Sequence, residues 1–434
     1  MSVGPAFVLA CAFGLLLALG VPVAFALGLA AAAGLLVSID AGPALTTLAQ
    51  QTATGLDSFA LLAIPLFVLS GQIMNRGGVA RRLVDLGKAI AGVLPGGLAW
   101  VNVVACTLFG AISGSAVAAT AAIGGFMTPQ MEREGYDRGY AAAVNLTSST
   151  TGLLIPPSNI LIVYALASGG ASVAALFLAG YLPGLLVASL LGATAAWIAT
   201  RRGYPRAGAT GARELGRRLL AALPSLGLIV LVMGGIVAGV FTATEAAGVA
   251  VLYALVLTLA VHRELRLREL PRVLVEAATT TGVVLLLIGT SMALSWVLAY
   301  ERIPQAIAES LLALGGGTLV VLLLINVVLL AVGAVLDMTP AVLIFTPIFL
   351  PVVTELGMDP IHFGIVLVLN LCIGLCTPPV GTVLFVGLGV ARVPLGQTLP
   401  FLLPLYLAML IALAIVTLAP ALSLWLPRSF GFVG

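Results

Sequence analysis

One short motif occurs twice in this chain, and its two settings restrict the possible folds more than any other feature. Gly152-Leu153-Leu154-Ile155-Pro156-Pro157 and Gly374-Leu375-Cys376-Thr377-Pro378-Pro379 lie 222 residues apart, each inside an apolar run long enough to enter a bilayer. Proline lacks an amide N–H and its ring clashes with the preceding turn, so each pair interrupts a helix. The same offset pairs Pro129 with Pro351, Gly135 with Gly357 and Asp137 with Asp359. It also sets Ser115 opposite Asp337, an acid deep within an apolar stretch. A duplicated chain with an interrupted membrane helix in each half is what a secondary transporter needs.

The membrane setting follows from composition. Only 8% of the 434 residues are charged and 61% are hydrophobic, with a mean hydropathy of +1.21; soluble domains carry about 25% charged residues. The first apolar stretch, Pro5 to Ser38, has no basic residue before it and is too long for a signal-peptide core. It is expected to be a retained spanning helix. Cys11, Cys106, Cys372 and Cys376 all fall in apolar segments and are expected to act as small buried hydrophobes. No metal-ligand cluster, phosphate loop, nucleic-acid-binding patch or nucleophile–base pair is present, so neither an enzyme nor a cofactor is expected. His262 and His362 sit beside charged or turn residues and are expected at membrane boundaries.

Charge placement orients the chain. With the N-terminus cytoplasmic, 5–37 crosses outward and 58–75 returns to Arg76, Arg81, Arg82 and Lys88. Residues 97–131, interrupted at Ile112-Ser113-Gly114-Ser115-Ala116, have arms too short for two full crossings at roughly 20 residues each. They are expected to form a re-entrant hairpin opening to the cytoplasm, with the solvated loop 132–138 at its exit. Segment 139–168, broken at the first Pro-Pro, crosses outward, and 172–199 returns to the basic cluster 201–218. Residues 219–240 and 246–261 form a pair, 273–299 goes out, the hairpin 317–356 dips in from outside, and 361–388 crosses inward. A last helix, 397–425, ends outside. On this trace all but Arg302 and Arg428 of the 19 Lys and Arg residues are cytoplasmic, a strong positive-inside bias. The two halves come out oppositely oriented. Stretches 76–91 and 300–314 are expected to be interfacial arm helices.

Irregular backbone survives at bilayer depth only where protein or a water-filled cavity shields it. A helix break leaves free carbonyls on one half-helix, suited to a small hard cation. It leaves exposed N–H groups and the positive dipole end on the other, suited to a carboxylate. Hydroxyls gather at these places: Ser113 and Ser115 at the first tip, Ser148 to Thr151 and Ser158 around the first break, Thr339 at the second tip, and Asn370, Thr377 and Thr382 around the second break. No Lys or Arg lies inside these elements, so an anionic substrate would lean on a co-bound cation. Asp337 has two compatible readings: cation coupling or substrate contact, because a charge mid-helix costs roughly 3 kcal/mol, or an N-cap for the helix opening at Thr339-Pro340.

Taken in order, several motifs resemble the large membrane subunit of tripartite ATP-independent periplasmic (TRAP) transporters. They are Phe109-Gly110-Ala111-Ile112-Ser113-Gly114-Ser115, Ile123-Gly124, Pro129-Gln130-Met131, Gly135-Tyr136, Leu154-Ile155-Pro156-Pro157-Ser158, Leu176-Phe177-Leu178-Ala179-Gly180 with Pro183-Gly184, Asn370-Leu371, and Thr377-Pro378-Pro379-Val380-Gly381. The resemblance runs over nearly the whole chain. Where the family signature has a further serine, this chain has Ala116.

The resemblance implies an all-α polytopic membrane protein of the elevator type, with an inverted repeat, two re-entrant hairpins and two broken helices. It implies sodium-driven import of an organic acid (dicarboxylate, keto acid, sugar acid or sialic acid) across the bacterial inner membrane. The implied partners are a separate small four-helix membrane subunit and a periplasmic solute-binding protein. One sodium site would involve Gly110, Ser113, Gly152, Ile155 and Pro157, and the other Gly333, Gly374, Thr377 and Val380. Substrate would lie near Ser113, Ser115, Ser158 and Asp337. The organisation is then scaffold helices and a first arm at 1–91, a first transport repeat and following helix at 92–199, scaffold helices, basic loops and a second arm at 200–314, a second transport repeat at 315–391, and a C-terminal helix in 392–434. A carboxylate carrier that works without a binding protein, and more remotely an intramembrane enzyme or assembly scaffold, are the alternatives.

Overall fold

The computed structural model describes residues 3–205, 211–312 and 317–433. Among them there are helices and no strands, and seven helices are long and apolar enough to cross a membrane. The chain opens with α1 (Val3–Ala18), α2 (Val23–Ser38) and α3 (Ala41–Leu56), then α4 (Ala63–Arg76) and the arm α5 (Val79–Ala91). The first hairpin is α6 (Gly97–Ser113) and α7 (Ala116–Arg133). The first broken helix is α8 (Arg138–Ser149) and α9 (Asn159–Ala167), followed by α10 (Val173–Arg201). Next come α11 (Ala212–Val237), α12 (Ala243–Leu255), α13 (Leu270–Tyr300) and the second arm α14 (Ile303–Leu312). The second half repeats the plan with hairpin α15 (Gly317–Gly333) and α16 (Met338–Glu355), broken helix α17 (Pro360–Leu375) and α18 (Thr382–Ala391), then α19 (Leu395–Leu418) and α20 (Ala421–Ser429).

The duplication is visible in the backbone. Gly135 and Gly357 both take left-handed φ, 85° and 82°, just past the second arm of each hairpin. There the N–H of Tyr136 donates to Met131 O at 3.0 Å and that of Met358 to Val353 O at 2.9 Å, the same C-terminal cap in both halves. Both Pro-Pro bonds are cis. The halves interlock, since α7 of the first hairpin packs on α18 and α16 of the second packs on α9. At equivalent positions 222 residues apart, Cys372 Sγ approaches Thr150 O at 3.5 Å.

The hairpins open to opposite faces. A Cβ on Gly96, ahead of α6, would lie 2.9 Å from Ala196 Cα and from Ala199 Cβ near the Arg201 end of α10. At that end Tyr136 donates to Pro205 O at 2.7 Å. The open end of the second hairpin lies at the other side, where Tyr164 of α9 donates to Pro360 O at 2.5 Å. An inverted repeat results.

Four expectations need correction. Residues 5–37 form two helices, turned at Leu19-Gly20-Val21-Pro22. A single helix of that length would run about 50 Å through a core of roughly 30 Å. A Cβ on Gly4 would lie 3.9 Å from Val37 Cγ1, so α1 runs back along α2. Ser38 Oγ donates to Glu301 Oε1 at 2.5 Å, at the end of α13 remote from Arg272. Gly4 therefore lies on the face away from the basic loops. The last helix is likewise broken at Ala419-Pro420, and α20 packs against α10. Loop 132–138 is only partly solvated: Tyr136 is buried, its ring 4.6 Å from that of Tyr204, and Tyr204 donates to Asp137 at 2.8 Å. Cys11, expected to be a small buried hydrophobe, is exposed on α1, while His362 is buried in the first turn of α17.

Candidate functional site

Both hairpin tips open on one cavity of about 500 Å³. Ser113, Gly114 and Ser115 enter it from the first tip, and Asp337, Met338 and Thr339 from the second. The first residue of each helix after a break, Asn159 of α9 and Thr382 of α18, completes this wall. Facing it are Gln72 and Asn75 of α4 and Thr279 and Thr280 of α13. Those four lie within about a turn of Arg76 and Glu276, whose ion pair (2.6 Å to both carboxylate oxygens) ties the basic ends of the two helices together.

The two tips use their equivalent residues differently. Ser115 is the N-cap of α7, its Oγ accepting from Ala118 N at 3.2 Å. Asp337 is the N-cap residue of α16 with extended backbone, φ −67° and ψ 160°, but its side chain makes no cap hydrogen bond. Its carboxylate instead accepts from Thr382 Oγ1 at 3.1 Å and is exposed to the cavity. The second Asp of the chain's repeat pairs shows the contrast: Asp359 does cap, accepting from Ile361 N at 2.7 Å ahead of Pro360.

Behind each tip, two glycines bring a hairpin arm onto a break. A Cβ on Gly152 would stand 2.3 Å from Gly110 Cα, and one on Gly374 would stand 2.4 Å from Gly333 C. No side chain fits between these backbones. Ser113 Oγ lies 3.4 Å from both the N and the O of Ser115. In the second copy Thr377 Oγ1 donates to Ile373 O at 2.7 Å, and the N–H groups of Val380 and Gly381 donate to Ala334 O at 3.1 and 3.3 Å. Ile155 and Pro157 follow the Gly152 turn, with Ile155 packed against Gly184. Donors to a cation at either place are main-chain carbonyls and hydroxyls, a set suited to a hard ion.

Residues 10–422 match the family described as "Tripartite ATP-independent periplasmic transporter, DctM component". The chain belongs to that family. It is 42% identical over 397 residues to the C4-dicarboxylate TRAP transporter large permease protein of Pseudomonas aeruginosa, covering 92% of each chain. It is 38% identical to the protein of that name from Rhodobacter capsulatus, covering 96% of this chain and 98% of the relative. An uncharacterized Salmonella typhimurium protein, YgiK, is 50% identical over 98% of both. In fold the DctM-family chain resembles the Alcanivorax borkumensis YdaH transporter (TM-score 0.62, 16% identity, 92% of this chain and 91% of that one). It also resembles Neisseria gonorrhoeae MtrF (TM-score 0.63, 14% identity, 87% and 84%).

Three of the four anticipated substrate residues, Ser113, Ser115 and Asp337, meet in this DctM-family cavity. The fourth does not reach it. Ser158 is fully buried and its Oγ donates to Leu153 O at 2.5 Å, which turns it into the break. Its neighbour Asn159 takes the place on the wall. Asn159 had a signal in the sequence, since it opens its helix as Thr382 opens the other. Gln72, Asn75, Thr279 and Thr280 had none beyond being polar in apolar helices.

Proposed function

We propose that this DctM-family permease carries an organic acid across the bacterial inner membrane, coupled to sodium, by movement of the hairpin and broken-helix repeats against the remaining helices. The observation that carries the reading is the cavity at the two tips, where among the described residues the one charged group is Asp337 and no Lys or Arg lines the wall. A carboxylate beside another carboxylate is repelled by about 1 kcal/mol in water and about 4 at an effective dielectric of 20, for charges 4 Å apart. Binding an acid there calls for a cation bound with it. The glycine-packed breaks beside each tip offer carbonyls for that cation.

Relatives are named for C4-dicarboxylate, sialic acid and 2,3-diketo-L-gulonate transport; each named substrate carries a carboxylate. The substrate class inferred for this chain is the same. Its partners are inferred to be a small membrane subunit and a periplasmic binding protein, the latter setting the choice among acids. The basic loops are cytoplasmic in this reading, and the polar residues that α4 and α13 bring to the cavity, Gln72, Asn75, Thr279 and Thr280, all lie toward the basic ends of those helices, so the arrangement is read as facing inward.

Uptake into proteoliposomes that hold the complex, with binding protein outside, tests the proposal. Transport is expected to require an inward sodium gradient. Equal rates with and without that gradient would reject the coupling.

A further inference from the structure

A small cavity of about 180 Å³ lies on the basic face, where the end of α10 meets the start of α19. Trp197, Arg201 and Arg202 line it from α10, and Pro400, Phe401 and Pro404 from α19. No Asp or Glu is among the described residues that line it. Each guanidinium rests on a ring. Arg201 Cζ lies 4.5 Å from the centre of the Trp197 ring, and Arg202 Cζ lies 5.2 Å from that of Phe401. Neither arginine enters an ion pair among the described residues, whereas Arg76, Arg82 and Arg218 are each held by a glutamate. A ring takes the flat face of a guanidinium and leaves its in-plane N–H donors free. Such a fork matches the oxygens of a phosphate.

The two helices are equivalent members of the duplication, beginning at Val173 and Leu395, 222 residues apart. They pack on each other in opposite directions. Away from the basic face, the chain lays its own α20 against α10. At the basic end Trp197 and Pro400 stay exposed. An apolar track leads from the cavity along each helix. On α10, Leu186, Leu190, Ala193, Trp197 and Arg201 fall within about 80° of one another at 3.6 residues per turn. On α19 the same holds for Pro400, Leu403, Leu407 and Ile411. All nine are exposed or half-exposed. About 16 Å of helix separates Leu186 from Trp197, close to half of a hydrocarbon core of roughly 30 Å.

We propose that this groove holds an anionic phospholipid of the inner leaflet, its phosphate between Arg201 and Arg202 and its acyl chains along the two tracks. The cavity is well below the roughly 300 Å³ at which small-molecule pockets begin, so it has room for a headgroup and not for a whole solute. The apolar tracks, which a free phosphate would not use, assign the site to lipid. Basic pockets between membrane helices on the cytoplasmic side bind such headgroups, and a tryptophan at that depth marks the interface. The assignment needs no knowledge of what the permease carries.

The test is quenching of Trp197 in the complete complex, reconstituted in phosphatidylcholine vesicles. Phosphatidylglycerol or further phosphatidylcholine, brominated near the headgroup end of the acyl chain, is added in rising proportion. Each curve is taken as the difference from the same protein carrying Trp197→Phe. The anionic lipid is expected to be preferred about 25-fold, at about fivefold for each arginine near the membrane surface. The preference should vanish in Arg201→Gln, Arg202→Gln and persist in Arg268→Gln, an exposed cation on the same face. Arg201→Lys, Arg202→Lys keeps the charge and should keep most of the preference, which a disrupted groove would not do. Equal quenching by the two lipids in the wild type would overturn the proposal, as would loss of the preference in the lysine pair. If inorganic phosphate at constant ionic strength abolished the preference, the site would belong to the free ion and the lipid assignment would fall. Absence of quenching by either lipid would mean that protein covers the groove, which also overturns it.

Discussion

Asp337 holds the head of α16 without using its carboxylate as a cap. Removing a cap that is in use costs about 1 kcal/mol, while neutralising an exposed side chain usually stays within about 0.5 kcal/mol. Asp337→Asn is therefore expected to leave thermal unfolding in detergent nearly unchanged while abolishing uptake or altering its sodium dependence. Unaltered transport would reduce the residue to a bystander of the helix start. Gly152 is the opposite case. A Cβ there meets backbone at 2.3 Å, and overpacking of this kind costs about 1–3 kcal/mol. Gly152→Ala should lower the unfolding temperature and transport together, and a melting curve alongside an uptake assay would show both. Sequence alone marked Asp337 and Gly152, because a mid-membrane acid and a repeated glycine stand out. It did not show that Ser158 faces inward: a hydroxyl beside a break has two directions available, and Leu153 O decides between them.

At the scale of elements, local chemistry placed the breaks well. Proline pairs and the tips were located to within a residue or two, since missing N–H groups and left-handed glycines act within a single turn. The first helical stretch was the failure. Hydropathy is continuous from Pro5 to Ser38, and only Gly20 and Pro22 mark the turn between α1 and α2. The length itself was the overlooked signal. Cysteines introduced at Gly4 and at Ser38 are expected to react with an impermeant thiol reagent from the same side of the membrane. Labelling from opposite sides would restore a single crossing. Helix α3 has little signal in the sequence because its apolar surface is slight: Ala44 is its one buried residue, and it packs on α13.

Across the whole molecule, the hairpin tip and α4 meet backbone to helix. A Cβ on Gly71 would lie 2.5 Å from Ser113 O. If the repeats slide past α4 and α13, that contact belongs to one position of the slide. Gly71→Ala should then disfavour the inward arrangement, seen as reduced labelling from the basic face of a cysteine placed at Ser115. Labelling equal to that of the parent cysteine variant would mean that the tip and α4 do not meet in this way. The same interface brings Gln72, Asn75, Thr279 and Thr280 to the cavity, and the Arg76–Glu276 pair fixes α4 to α13 beneath them.

The residue order by itself determined that this is a duplicated membrane protein, where its helices are interrupted and that its halves are oppositely oriented. Each of those follows from short-range chemistry: hydropathy over about 20 residues, proline in a helix, and the side on which basic residues are retained. Which polar groups share one cavity was decided only in three dimensions. Asn75 and Thr279 come together through packing between segments some 200 residues apart, and such contacts leave no periodicity or spacing along the chain to be read.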